Sequence, residues 1–294
     1  MSESKEKKPS LLYRAIHRSA FVFNSVSQAY DFRPHYWIMN LCFFLIILAL
    51  FIYFGLSTSF FSDSLNVNET RLSLIFKGIF DPDFSYMFGY GSFTWKTSTV
   101  YQSIQTFAIA FVGTAIASIL SIPFGFLASR KIVGHWAIVT EIVLIAIRTM
   151  PEIILGYVMI QGFGFSSTAG VMVLSISSIG MIGKLYSEAL DAIAQQPIEA
   201  ISASGGNLLA RIRLGIVPQI TPNFLSVILY RLDLNLRTAT LLGLVAGEDS
   251  GLGYWINNYS TQGRWPQFGA ALWCTVVMIL LTDWFSSRIR RKLI

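Results

Sequence analysis

Long apolar runs alternate with polar segments along most of the chain. A helix that spans a bilayer needs about 20 mostly apolar residues. By that rule the sequence predicts six spans, at residues 37–56, 101–128, 136–160, 169–186, 220–245 and 268–287. The pattern therefore predicts an all-α integral membrane protein with about six transmembrane helices.

The polar segments between these spans predict how the chain is organised. Residues 1–36 form an N-terminal segment in which apolar positions recur at roughly helical spacing over 10–30. That spacing predicts an amphipathic helix on the cytoplasmic surface, with an ordinary soluble leader as the alternative. Residues 57–100 are polar and aromatic and predict an ordered extracytoplasmic segment. Residues 101–294 then form a core of five spans, interrupted by a polar segment at 187–218.

Composition and charge support this class of protein. Charged residues make up 13% of the chain and mean hydropathy is +0.56, whereas soluble domains carry roughly a quarter charged residues. The net charge of +6 does not indicate nucleic acid, because the basic residues flank the spans, as at an anionic lipid surface. Lys and Arg are also enriched in alternate loops, which predicts that both termini are cytoplasmic. The basic residues at the two ends are Lys5, Lys7, Lys8, Arg14, Arg18, Arg288, Arg290, Arg291 and Lys292.

The sequence contains no recognisable catalytic or metal motif. Its three histidines lack metal-ligand spacing, so no metal site is expected. Gly183-Lys184 is followed by Leu185 rather than Ser or Thr, so it does not form a P-loop. We therefore expect no cofactor in this chain and no hydrolysis of ATP by that route.

The segment at 187–218 has the helix-start and helix-stop residues of a compact helix–turn–helix. Pro197 suits the first turn of a helix, and Gly205 with the following glycine suits its end. Asn207 is placed to cap a further short helix through Arg213, and Pro218 opens the next span. Composition alone allows any long cytoplasmic loop to fold in this way.

The spacing within this segment points to one family. Glu199-Ala200, then Gly205, then Val217-Pro218 reproduce the spacing of the EAA loop of ABC importer permeases. Gly215 stands where that pattern has isoleucine, and Ile216 follows it.

Two further stretches resemble the phosphonate-type members of that family. Arg148-Thr-Met-Pro151-Glu152 is similar to their Arg-Ser-x-Pro-Glu segment. Residues 235–245 are similar to their Asn-x-Arg-Ser-Ala-Thr-x-Leu-Gly stretch. After that stretch the chain departs from the family's glycine-rich continuation, since it has Glu248 and Asp249 there.

The resemblance implies a type I ABC importer permease fold and a transport role rather than an enzymatic one. It implies a homodimer in a bacterial inner membrane, two ATPase subunits that bind ATP and Mg, and an extracytoplasmic substrate-binding protein. The residues implied in contact with the ATPase are Glu199, Ala200, Gly205 and Pro218. The implied substrate is a phosphonate. Phosphite, phosphate or an amino acid, or a different class such as an ATP-independent carrier or an intramembrane enzyme, remain alternatives.

Five charged residues fall inside predicted spans: Arg148, Glu152, Arg231, Asp233 and Arg237. Charged side chains there normally face the bundle interior or an aqueous path. Helical spacing predicts two i,i+4 pairs, Arg148 with Glu152 and Asp233 with Arg237, and leaves Arg231 without a partner. The surplus positive charge suits a transient oxyanion, so these five residues are the predicted substrate pathway. Internal ion pairs that hold the bundle together are the alternative.

Overall fold

The structure of the protein is a computed structural model that describes residues 21–24, 29–32, 37–58, 68–91 and 94–293. The chain divides into two compact units, Met1–Glu69 and Thr70–Ile294. Each unit is described by itself below.

The first unit contains a short hairpin and one long helix. Strands β1 (Phe21–Asn24) and β2 (Ala29–Phe32) pair antiparallel, with Phe21 opposite Phe32. Helix α1 (Trp37–Ser57) follows and supplies the first predicted span. The predicted amphipathic helix over 10–30 is wrong at residues 21–24 and 29–30, which lie in strands, because the aromatic residues of both strands favour extended backbone. Its first half, residues 10–20, lies outside the described residues.

The second unit is helical throughout the part of it that the structure describes. Its elements are α2 (Glu69–Phe80), α3 (Phe84–Phe88), α4 (Thr99–Ala128), α5 (Arg130–Val133), α6 (Ala137–Thr149), α7 (Glu152–Phe163), α8 (Ser167–Asp191), α9 (Gln196–Ala203), α10 (Leu208–Ala210), a π-helix (Arg211–Ile216), α11 (Val217–Ala246), α12 (Leu252–Gln262) and α13 (Trp265–Leu293).

Six stretches of the described chain are long and apolar enough to cross a membrane. They are Asn40–Ser57, Thr99–Ala128, Arg130–Thr149, Ser167–Asp191, Arg211–Val245 and Trp265–Leu293. The number and the order of the predicted spans are therefore confirmed. The prediction for the third span is wrong at its far end, because residues 136–160 form two helices rather than one.

The break in the third predicted span lies at Met150 and Pro151. Both residues are extended, with ψ of 124° and 126°, so α6 ends at Thr149 and α7 begins at Glu152. Proline has no N–H to donate and disfavours helical backbone in the residue before it. The proline thus turns one predicted span into a full helix followed by a shorter apolar one.

Helices α4 and α8 form the centre of the second unit, and small residues let them approach closely. A β-carbon added to Gly113 on α4 would lie 2.8 Å from Cβ of Leu174 on α8. A β-carbon on Gly125 would lie 2.7 Å from Cβ of Tyr186. Close contact through small residues drives helix association where lipid removes the hydrophobic driving force. Leu174 and Leu236 of α11 are fully buried in the cluster that results.

Helix α3 is fastened to the spanning helices through aromatic and polar contacts. The Asp83 carboxylate caps it by accepting from the backbone N–H of Tyr86. The hydroxyl of Tyr86 lies 2.5 Å from that of Tyr259 on α12 and also accepts a bond from Gln102 on α4. Burial raises the pKa of Tyr86, so this hydroxyl stays protonated well above neutral pH. These contacts hold part of residues 57–100 against the core, while its extracytoplasmic location stays a prediction.

Candidate functional site

Arg148 and Glu152 lie on opposite sides of the helix break and do not pair. Arg148 is in the last turn of α6, and Glu152 is the first residue of α7. The predicted i,i+4 ion pair is therefore wrong, because that geometry requires one continuous helix through both residues.

Glu152 instead pairs with Arg231 on α11. Its Oε1 atom lies 2.9 Å from Nη2 of Arg231. The Arg231 side chain is 10% exposed and that of Glu152 is 30% exposed, so the pair is largely removed from solvent. The guanidinium makes three further hydrogen bonds: Nε donates to Ser178 at 2.9 Å, Nη2 to Ser177 at 3.2 Å and Nη1 to the Met181 sulfur at 3.4 Å. The prediction that Arg231 lacks a partner is wrong.

A second layer of buried polar groups holds this pair in place. Nδ2 of Asn235 donates to Oγ1 of Thr114 at 2.8 Å and to Oγ of Ser178 at 2.9 Å. Asn235 and Ser178 are fully buried. Polar groups inside the bilayer need protein partners because no water is present to serve them. The network joins α4, α7, α8 and α11, and its signal in the sequence is a set of hydroxyl and amide residues inside apolar spans.

Arg237 forms the predicted pair with Asp233 and a further pair that the sequence analysis missed. Its Nη2 atom lies 3.1 Å from Asp233 and 3.2 Å from Asp283 on α13. Asp233 is 10% exposed, whereas Arg237 is 50% exposed. Two carboxylates therefore compensate this one arginine. Asp283 is a carboxylate within the last apolar stretch, and that position is the signal in the sequence that could have indicated an ion-pair partner.

Arg148 differs from the other four predicted pathway residues. It is exposed and makes no hydrogen bond or ion pair with any residue that the structure describes. Its backbone is fixed, since a β-carbon on Gly180 of α8 would lie 2.9 Å from the Arg148 nitrogen. The guanidinium thus projects from a rigid helix end with its positive charge uncompensated.

A second charge cluster fastens α6 to α8, and the sequence analysis missed it. The Glu141 carboxylate lies 2.7 Å from Nζ of Lys184 and 2.9 Å from Nη2 of Arg130. Nearby, Asp191 accepts from Oγ of Ser129 at 2.6 Å and from the backbone N–H of residue 131 at 3.1 Å. These contacts tie the end of α8, where the segment 187–218 begins, to the neighbouring helix ends.

The segment at 187–218, which we term the coupling segment, forms the helices that the sequence predicts. Helix α9 has Pro197 in its first turn and ends before Gly205, whose φ is +81°. Oδ1 of Asn207 accepts from the N–H of Ala210 at 2.9 Å, as expected of a helix cap. The predicted third helix through Arg213 takes an unexpected form, because α10 is followed by the π-helix Arg211–Ile216.

Helix α9 packs directly on the π-helix. A β-carbon on Gly215 would lie 3.1 Å from Ile198 and 3.3 Å from Ile201, so the isoleucine of the family pattern would require both side chains to shift. Gln219 fixes the arrangement by accepting from the N–H of Ala194 at 2.9 Å and donating to the Gly215 carbonyl at 2.7 Å. Ile198 and Ile201 face inward, which leaves the opposite face of α9 open. The exposed residues of the predicted contact set are Glu199, Ala200, Gly205 and Pro218.

The loop after α11 is fastened to the start of α4 and α8. The carbonyl of Asp249 accepts from Nε2 of Gln105 at 2.6 Å and from Oγ of Ser167. The N–H of Leu252 donates to Oγ1 of Thr106 at 2.9 Å. The backbone of Asp249 is thus held while its side chain is exposed.

These features define a multi-pass membrane protein with a set of charged residues on its apolar helices and an exposed helical segment between two spans. Residues 121–294 match the family described as the binding-protein-dependent transport system inner membrane component. The match covers more than half of the chain, and the chain belongs to this family.

Three similar proteins are transport permeases. The phosphite transport system permease protein PtxC of Stutzerimonas stutzeri is 32% identical over 212 residues, which are 71% of this chain and 73% of that protein. The phosphate-import permease protein PhnE of Mycolicibacterium smegmatis is 29% identical over 194 residues, 65% of this chain and 36% of that protein. A putative cryptic phosphonate permease, PhnE2 of Escherichia coli, is 36% identical over 126 residues, 42% of this chain and all of that protein.

A solved structure shows the same fold. The inward-facing MetNI methionine ABC transporter matches with a TM-score of 0.59 and 22% identity, over 67% of this chain and 96% of that chain. The fold is therefore that of an ABC importer permease, as the sequence predicts.

Family membership settles the class of protein. The chain is a transport subunit and not an enzyme, and ATP hydrolysis belongs to a separate subunit. Permeases of this family work as dimers with ATPase subunits and a substrate-binding protein. The alternatives of an ATP-independent carrier and an intramembrane enzyme are excluded.

Proposed function

We propose that this permease imports a phosphorus oxyanion, such as a phosphonate, phosphite or phosphate. The uncompensated guanidinium of Arg148 carries the proposal, because a planar guanidinium binds a tetrahedral oxyanion through two parallel hydrogen bonds. Two relatives, a phosphite transport permease and a phosphate-import permease, support the same chemical class.

The pathway lies between two copies of the chain, and each copy contributes one Arg148. An exposed arginine on a spanning helix needs a polar neighbour, and a cavity at a subunit interface supplies one. Glu152, Arg231, Asp233 and Arg237 line the wall of this pathway as ion pairs that hold its helices together.

The coupling segment docks the cytoplasmic ATPase dimer through Glu199 and Ala200 on the exposed face of α9, together with Gly205 after that helix and Pro218 at the start of α11. Closure of the ATPases on ATP moves α9, and α11 follows because the two are joined through the π-helix. The bundle then alternates between inward-open and outward-open by rigid-body motion of packed helices. The Lys and Arg distribution supports cytoplasmic termini in a bacterial inner membrane, with the binding protein on the opposite side.

Reconstitution of the complex in proteoliposomes tests the substrate class. The binding protein is presented in turn with phosphite, phosphate, methylphosphonate and methionine, and ATP hydrolysis and uptake of the labelled compound are measured. We expect at least one phosphorus oxyanion to stimulate both activities, and methionine to stimulate neither. Stimulation by the amino acid alone would contradict the proposal.

A further inference from the structure

Glu152 is within chain reach of Arg148 although the two do not pair. Three residues separate them, so their α-carbons are at most about 14 Å apart even in a fully extended chain. Both side chains are long, and a carboxylate inside a bilayer is stable only beside a cation. Glu152 is therefore a natural competitor for the guanidinium of Arg148.

Arg231 removes that competitor. Its Nη2 atom holds Oε1 of Glu152 at 2.9 Å. Further hydrogen bonds hold the orientation of the guanidinium, because Ser177, Ser178 and the Met181 sulfur accept from it and Asn235 in turn donates to Ser178. Arg231 is 10% exposed, so it is itself poorly placed to meet a substrate.

We propose that Arg231 is a positioning residue that captures Glu152 and so keeps Arg148 available to the oxyanion. This inference rests on the proposed function and deepens it. Arg148, Arg231 and Glu152 together carry one net positive charge, which is that of the unpaired Arg148, whereas Asp233 and Asp283 compensate the charge of Arg237. Without Arg231 the remaining pair is neutral and its attraction for an anion is lost.

Three variants in the reconstituted complex test the proposal: Arg231→Gln, Glu152→Gln and the two combined. Arg231→Gln frees the Glu152 carboxylate, so we expect the half-saturation concentration for oxyanion uptake to rise about tenfold or more, as for loss of a charge-assisted hydrogen bond. The double variant removes the competitor as well and should restore half-saturation close to that of the unmodified complex. Complex assembly and ATP hydrolysis without the binding protein are measured for each variant, so that a loss of folding is distinguished from a loss of oxyanion affinity.

Glu152→Gln alone separates this role from a structural one, because the amide keeps an acceptor for Arg231 and adds no competing charge. We expect it to transport with unimpaired half-saturation. Ser177→Ala is the matched control, since it removes one bond to Arg231 and leaves those to Ser178 and Glu152.

Two results would overturn the proposal. One is a double variant as defective as Arg231→Gln, and the other is loss of saturable uptake in Glu152→Gln. Each is distinct from failure of the proposed function, in which the unmodified complex itself transports no phosphorus oxyanion. If Arg231→Gln does not assemble, the result for Glu152→Gln decides alone.

Discussion

Arg237 on α11 and Asp283 on α13 form an ion pair between two spanning helices, with Nη2 and Oδ2 3.2 Å apart. The same nitrogen also holds Asp233, one turn earlier on α11. The arginine therefore contacts two neighbouring carboxylates that would repel one another without it.

Removal of the Arg237 side chain is expected to lower the free energy of unfolding more than neutralisation of Asp283 does. Arg237→Ala leaves the largely buried Asp233 beside Asp283 with no cation between them, and we expect a loss of roughly 1–3 kcal/mol. Asp283→Asn keeps the Asp233 pair and should cost less. Thermal unfolding of the purified protein in detergent measures both, and a larger effect for Asp283→Asn would contradict the arrangement.

Arg148 is expected to matter for transport and not for stability. Arg148→Ala removes no hydrogen bond or ion pair to the residues that the structure describes, so the unfolding temperature should change little. Uptake should fall by at least about tenfold, because the charge-assisted contact with the anion is lost.

Arg148→Lys is the matched variant for that experiment. It keeps the charge but loses the bidentate geometry, so its uptake should lie between those of Arg148→Ala and the unmodified protein. Full uptake in Arg148→Ala would show that Arg148 is not part of the substrate pathway.

The exposed face of α9 is expected to determine association with the ATPase. Glu199→Lys reverses a charge on that face, and Gly205→Asp places a side chain at a φ of +81°, which disfavours it. Both variants should reduce copurification of the ATPase subunit while leaving the permease folded. Ser204→Ala is the control, because the Ser204 hydroxyl bonds only locally, to the Ile201 carbonyl. Equal loss in all three would point to unfolding of the segment instead.

Gly215 is expected to tolerate no large side chain. A valine there would extend beyond a β-carbon that already lies 3.1 Å from Ile198, and would push α9 off the π-helix. We expect Gly215→Val to lower ATP hydrolysis stimulated by the binding protein, and Ile198→Ala to restore part of it by making room. A double variant no better than Gly215→Val would show that the contact is not the cause.

The sequence predicted the features that depend on local pattern. The number of spans follows from the length of the apolar runs. The bounds of α9 follow from Pro197 and Gly205, because each of these residues affects the backbone within one turn of its own position. Pro151 is also visible in the sequence, and a proline at that position favours a break in the helix. The predicted pairing of Arg148 with Glu152 did not take that break into account.

The partners of the intramembrane charges could not be predicted in the same way. Arg231 meets Glu152 and Arg237 meets Asp283 only after helices distant in sequence have packed. Spacing along one helix does not encode such contacts. The hairpin at 21–32 was missed because its few apolar positions fit helical spacing as well as alternation.

The π-helix between α10 and α11 has a mechanical consequence. A π turn holds more residues than an α turn, and such turns are uncommon and concentrated at functional positions. If this turn tightened to α-helical geometry, α11 would shift by one residue, about 100° of rotation and 1.5 Å of rise. That rotation would carry Arg231 and Asn235 away from Glu152 and Thr114, so the buried hydrogen bonds of these residues favour the π form of the turn.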